Sequence, residues 1–574
     1  LLSSPVKKKI SQWFLLRTLL TFYRRKRMKR RCVLCFVVVM IAMCFLPVFA
    51  KGTQETATKS SEVGFNKEGL PIVDDTYTLT FTGMNMNTTR VGRYDETDMM
   101  KKLESDTNVK IVWNMIPQAS WKEKKNLMIA SGEYPDGFMG PMSITADEAQ
   151  QLGAEGILIP LEDLIKEYAP NIQKIIDANP TYKAQITSPD GHIYAISAWQ
   201  DMGFDSLSCA IINKTWLDKL GLDVPETTEE YYQALKAFKE NDMAGNGKTV
   251  PLSFLYEESS DLNREVKREF EWLFLPFGVA ETPTHIMIED DGSVVFTAAQ
   301  DGYKEAIKYI HRLYKEGLID QEIFSQDRTM LTNKIRQMNV GSYTDYRLKS
   351  SMASEEIQDN FTFLPALEGP NGERRWLRAK AGMSDGAFAL TNKCKNPEIA
   401  IRWLDNINAE ENSIQMLYGM FKEAGWNKSE ALVPSDVQPG KWTGNTNLRP
   451  SDVNPSDWPW SAPIGSSPVV VKNDVINKYI AERPNNVAKE EACSVYRPYL
   501  TKYPYNYAFR FTLDEIEELN LIQTDLVNYV FKTKAKWIAN GGVEEEWDQY
   551  LKQLKILGVE RYVELYKTAY ERSL

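Results

Sequence analysis

Trp199, Gln200 and Asp201 set a flat ring beside an amide and a carboxylate. A ring of this kind stacks on the apolar face of a polyhydroxylated ligand, while fixed polar groups exchange hydrogen bonds with its hydroxyls. The residues that lead to them give them a place. An Asp190-Gly191 turn opens an extended run in which Ile193, Ala195 and Ser197 share one side. Glycine accepts the positive φ of such a turn, and period two buries one face. The run reads as a strand leaving one domain and entering another, with the three residues where a cleft would begin. The alternative is a hairpin with a core tryptophan.

Other chemistries find little material. Only His192, His285 and His311 occur, no two of them close enough in sequence to make a local ligand pair, so zinc chemistry and a histidine-based nucleophilic site are not expected. Of six cysteines, three fall within the first fifty residues, leaving Cys209, Cys394 and Cys493, a sparse odd set that is no disulfide framework.

Those first fifty residues carry eleven Lys and Arg and no acid. A basic stretch to Arg27 is followed by Met28-Lys29-Arg30-Arg31, an apolar run from Cys32 to Ala50, and Val48-Phe49-Ala50 as a small-residue cleavage site before Lys51. This is the three-part pattern of an export signal over 28–50, with Met28 as the expected start, and a retained membrane anchor as the alternative. Ile41-Ala42-Met43-Cys44 is an imperfect lipidation box, because Met43 stands where a small residue belongs. Without the signal the chain holds 57 basic and 78 acidic residues, a formal charge of −21 that argues against nucleic acid.

The segment 51–74 is rich in Thr, Ser, Lys and Glu and reads as a tether. Order is expected from Tyr77, where Tyr77, Leu79 and Phe81 alternate with threonines. A helix near Asp95 to Glu104 follows, then a second alternation through Val109, Ile111, Trp113 and Met115. A further helix spans Trp121 to Ala130, a turn-rich loop runs from Ser131 to Gly137, and Leu161, Leu164, Ile165 and Tyr168 recur at helical spacing. The pattern is α/β. At ~100 to 200 residues per domain, a chain of this length holds at least two. Thr227 with Glu230 and Thr512 with Glu515 make capping boxes, and Trp547, Tyr550, Leu551 and Leu554 mark a late amphipathic helix.

Several of these stretches resemble the large oligosaccharide-binding proteins of bacterial ABC importers, the extracellular solute-binding family that includes alginate-binding proteins. The loop Asp242 to Lys248 is similar to their calcium-binding DPNGNGKxDE loop; Leu313 to Asp320, LYKEGLID, resembles a helix end stopped by Gly317; and Ala387 to Ala400 resembles a returning strand and the helix begun by Pro397. The closing helices from Phe511 to Tyr570 are also similar. In the calcium loop Asp242, Asn246 and Gly247 match, but Ala244 replaces the central Asn and the acidic pair after Lys248 is missing, so the site reads as degenerate and no metal or cofactor is expected.

The resemblance implies a two-lobe periplasmic binding protein fold of type II, its lobes joined by crossing hinge strands. The first lobe is expected at 75–194 with 335–390, and the second at 195–334 with 391–574. It implies capture of a carbohydrate between the lobes and delivery to the transmembrane permease subunits by a monomer, periplasmic or tethered to the outer face of the membrane, and no enzymatic activity. The chain is longer than a monosaccharide site requires, which favours an oligosaccharide.

Candidate ligand-binding residues, beside Trp199, Gln200 and Asp201, are Arg90 after the first strand, Glu133 and Asp136 in the turn-rich loop, Tyr343, Asp345 and Tyr346 at a strand end, Asp385 before the returning strand, and Trp458 and Trp460 in a Pro- and Gly-rich segment. A secreted carbohydrate-active enzyme and a peptide-binding or sensor-linked binding protein remain alternatives.

Overall fold

The alternation at Tyr77 folds as expected. Leu79 and Phe81 are buried while Thr78 and Thr80 are exposed, and the strand is closed off by a helix, Asp98–Thr107, capped by the Thr97 hydroxyl and ended by Asn108 in the left-handed region at φ 58. The computed structural model describes residues 64–85, 94, 97–140, 142–200, 204–206, 208–256, 270–346, 348, 354–379, 383–422, 432–444, 468–481, 484–505 and 507–574.

Its strands in chain order are β1 (Tyr77–Asn85), β2 (Val109–Pro117), β3 (Gly137–Met139), β4 (Ile196–Gln200), β5 (Cys209–Asn213), β6 (Val250–Leu252), β7 (Ile286–Ile288), β8 (Val294–Phe296), β9 (Val340–Asp345), β10 (Phe361–Phe363), β11 (Met383–Leu390), β12 (Leu432–Pro434), β13 (Trp442–Gly444) and β14 (Val470–Val471). Six form one sheet in the order β14-β4-β11-β3-β1-β2, and four form a second in the order β10-β5-β9-β6. In the first sheet β1 is parallel to β2 and β3, while β11 is antiparallel to both β3 and β4.

Each sheet has its own core, which defines two lobes. In the first lobe, Leu79, Phe81, Phe388, Trp403 and Leu404 pack on one face, under helices that include Asp98–Thr107 and Pro397–Ile407. Met84, Trp121, Phe138, Ile144 and Leu152 pack on the other, under Gln118–Ser131 and Ala146–Ala154. The second lobe joins Ile211, Tyr231, Phe274, Ile310 and Tyr343 to the apolar stripes of the closing helices, Leu513–Asn540, Val543–Ile556 and Val559–Arg572. Both capping boxes read from the sequence, Thr227 with Glu230 and Thr512 with Glu515, are formed.

The lobe boundaries differ from those expected. The chain crosses between sheets from β4 to β5, again between Leu377 and β11, and a third time between Ala481 and the helix Pro484–Tyr496. The segment 335–390, expected in the first lobe, is therefore divided: β9 pairs with β5 and β6 in the second sheet, and only β11 belongs to the first. The part of 391–574 that runs to Ile480, expected in the second lobe, packs Trp403, Ile414 and Ile476 into the first. Strand pairing decides these memberships, and the partners of β9 and β11 lie far away in sequence. The crossings converge where Ala379 N donates to Asp205 O at 3.0 Å, Trp376 Nε1 donates to Ser206 Oγ at 3.1 Å, and Trp376 stacks on Tyr496 at 3.8 Å between centroids.

At the start of β11 the register with β4 shifts between Ser384 and Phe388. Gly386 in that irregularity has φ +49, and a Cβ there would stand 1.6 Å from the Ile144 carbonyl oxygen. Neither the conformation nor the space admits a side chain. Gly386→Ala is expected to destabilise the folded chain by roughly 2 kcal/mol or more, read from the urea unfolding midpoint.

Candidate functional site at the crossing edges

Because β11 runs antiparallel between β3 and β4, the strands β1, β2, β3 and β4 all point their carboxyl ends to the edge from which the chain crosses. In open α/β sheets that edge is where ligands bind. Trp199 lies in the last turn of backbone before the crossing, half-buried, its ring stacked on Tyr182 at 5.7 Å and 13°. Tyr182 is itself locked, since its hydroxyl donates to Ser197 O at 2.6 Å and burial pushes its pKa far up. The platform is thus held flat by a buried ring.

Asp385 begins the other strand at this edge. Its Oδ1 accepts from Gln185 Nε2 at 3.0 Å and Ser197 Oγ at 3.5 Å, and the Arg510 guanidinium stands 3.9 Å away. With Thr145 and Ser188 these groups line a small open pocket. On the second lobe, β5 starts and β9 ends at the crossing side, so Cys209 pairs with Asp345. Asp345 is buried; Oδ1 accepts from Tyr346 N at 2.7 Å, whereas Oδ2 has no partner among the described residues. A buried acceptor left without a partner costs about 1–3 kcal/mol. Tyr346 is held by buried Lys489, whose Nζ donates to its carbonyl at 2.7 Å and lies 4.1 Å from the ring centroid.

The other sequence candidates fare differently. Tyr343 is no ligand residue: it is 1% exposed and packs edge-on against Phe361 in the core. Glu133 and Asp136 lie at the opposite, amino-terminal edge, because their loop precedes β3 instead of following it. Asp136 is a brace there, its Oδ2 accepting from Thr80 N and Thr80 Oγ1, each at 2.7 Å. Arg90, Asp201, Trp458 and Trp460 lie outside the described residues, as does the side chain of Gln200, whose backbone ends β4. In the degenerate loop, Asp242 accepts from Gly247 N at 2.8 Å and Thr249 Oγ1 at 2.7 Å, which holds its pKa down. Asn246 Oδ1 accepts from Lys248 N at 2.9 Å. These oxygens serve the turn itself, whereas a calcium ion needs six to eight converging oxygens. Among the described residues no three His, Cys, Asp or Glu side chains gather as a metal site.

Gln185, Arg510 and Asp147 were not singled out from the sequence. Asp147 follows the Thr145 cap and reads as an ordinary first-turn acid. Burial pushes its pKa up to about 6, helped by the charges of Asp385 and Glu148 and opposed by Arg510.

Two α/β lobes with rings and carboxylates at the strand ends beside the chain crossings are the arrangement of a two-lobe binding protein. Residues 87–414 match the bacterial extracellular solute-binding protein family, and the chain belongs to it. It is 31% identical over 486 residues to the fructooligosaccharide ABC transporter substrate-binding protein FusA of Streptococcus pneumoniae serotype 4, covering 83% of this chain and 86% of that one. The structure of FusA in complex with kestose superposes with a TM-score of 0.74 at 28% identity, over 86% of this chain and 99% of that one. An HMO-binding, ABC-transporter-associated solute-binding protein from Bifidobacterium longum infantis shares the fold, with a TM-score of 0.75 at 21% identity over 87% and 99% of the two chains. The fold is the two-lobe, type II arrangement expected from the sequence.

A carboxyl whose folded pKa is raised contributes stability below its unfolded pKa, and that contribution is lost as pH rises through the folded value. The chain is therefore expected to lose stability between pH ~4, the ordinary aspartate range, and about 6 on account of Asp147. Asp147→Asn should flatten that part of the profile and be more stable than the parent at pH 7 by on the order of 1 kcal/mol, measured by urea unfolding across the range.

Proposed function

We propose that this protein captures an oligosaccharide between its lobes and hands it to the transmembrane subunits of an ABC importer, acting as a monomer outside the cytoplasmic membrane without metal, cofactor or catalysis. One observation carries the reading: the relation to FusA, itself described as a fructooligosaccharide ABC transporter substrate-binding protein, extends over 83% of this chain and both lobes. The chemistry of the crossing edges supports it. Trp199 offers a braced ring for the C–H face of a sugar, and Asp345, Tyr346 and Asp385 offer acceptors and a second ring; Gln200, Asp201, Arg90, Trp458 and Trp460 are further candidates. A ligand that touches both edges favours the closed arrangement by its differential affinity, and closure is what a permease would read.

The test is a thermal-shift panel on the chain from Lys51, with kestose and longer fructans, alginate and milk oligosaccharides, monosaccharides and short peptides. A ligand at a hundredfold over its Kd adds ~2.7 kcal/mol. One oligosaccharide class is expected to raise Tm and to be recovered intact by mass spectrometry. A peptide-only response, or a cleaved glycan, overturns the proposal. Trp199→Ala is expected to weaken binding roughly tenfold or more, by calorimetry. Millimolar calcium should leave Tm unchanged, since Asp242 already satisfies its own turn.

A further inference from the structure

The closing helices belong to the second lobe: Ile516, Leu526, Trp537, Tyr550, Leu554 and Tyr562 are buried in its core. The segment that leads into them nevertheless reaches the first lobe. Arg510 stands two residues before the Thr512 cap, and Arg572 Nη1, from the last turn of the chain, donates to the Arg510 carbonyl at 2.7 Å. The backbone of Arg510 is thereby tied to the second lobe. Its guanidinium crosses over. Nη2 donates to the Gln185 carbonyl oxygen and faces Asp385 Oδ1 at 3.9 Å, and the two acceptors are held together by the Gln185 Nε2 to Asp385 hydrogen bond at 3.0 Å.

This contact bypasses all three chain crossings. The helix Ala146–Ala154 of the first lobe lies against Leu513–Asn540 of the second, and a hydrogen bond that bridges the lobes beside these helices depends on the angle between them. The bond from Nη2 is directional and short-ranged, so rotation of one lobe against the other weakens it. On the first-lobe side Asp385, Asp147 and Glu148 are charged groups near Arg510, and Glu148 is paired to Lys125. Arg510 is the cation that meets Asp385 and Asp147 from the other lobe.

We propose that Arg510 is a ligand-independent latch between the lobes: its hydrogen bond to the Gln185 carbonyl and its ion pair with Asp385 set the resting populations of the lobe arrangements, and through them the apparent affinity for the ligand. The second half rests on the reading above, that the ligand binds one arrangement better than another. An equilibrium moved by the latch then rescales the measured Kd by the fraction of the competent state.

The experiment uses Leu127→Cys and Ile556→Cys, exposed positions on the two lobes, as dye sites; the native Cys209, Cys394 and Cys493 are buried thiols. Single-molecule energy transfer on the ligand-free protein should show the populations displaced roughly tenfold by Arg510→Ala, and less by Arg510→Lys, which keeps the charge without the fork. Apparent affinity for the oligosaccharide found above should change by the same factor. If Arg510→Ala lowers Tm but leaves the distance distribution as it was, Arg510 is a brace and the proposal falls; Arg510→Lys decides the same point should the alanine variant not fold. The distance distribution needs no ligand, so a failure to bind any glycan would overturn the functional reading and leave this test intact.

Discussion

The insertion of β11, antiparallel, between β3 and β4 is the constraint on which the rest depends. One strand carries the chain out of the first lobe and its neighbour carries it back, so both ends emerge at a single edge. Trp199 and the start of β11 are consequently neighbours, with Met383 paired to Trp199. The irregular register beside Gly386 is the local cost of that insertion: the returning strand must clear the Ile144 carbonyl before it can join the ladder. On the second lobe, Asp205, Ser206, Trp376 and Tyr496 gather the three crossings into one joint.

The two cores are apolar and separately closed, whereas the surfaces at the crossing are polar. That division suits a receptor. Apolar burial holds each lobe rigid at ~25 cal/mol per Å² and does not depend on the angle between them, while the groups near the joint are hydrogen-bond donors, carboxylates and rings whose energies are smaller and sensitive to geometry. The Oδ2 of Asp345, unpartnered among the described residues, the braced ring of Trp199 and the reach of Arg510 are all features whose free energy changes when the lobes or a ligand move.

The candidate residues separate by the range of the interactions that place them. Trp199 is legible because the turn, the alternation and the ring are adjacent in the chain. Tyr343 has the same composition around it, a ring next to a carboxylate, and lies in the core because β9 is buried on both faces. Asp136 looks like a ligand residue in a glycine-rich loop, yet that loop enters a strand, and only the direction of β3 relative to β1 shows that it belongs to the far edge. Arg510 carries no local mark at all; its first-lobe partners are more than a hundred residues away.

The sequence by itself determined what neighbours along the chain can settle: the alternating strands, the two capping boxes, the glycine that stops the helix before Leu318, the absence of metal-ligand spacing, and the kinship of the whole. Those features rest on backbone preference and periodicity over a few residues, which the chain carries with it. Only the tertiary structure decided which sheet each strand joins, where the lobes divide, and which polar side chains meet at the crossing. The physical reason is that strand pairing and side-chain desolvation are made between distant segments, so their outcome depends on the partner and not on the residue alone.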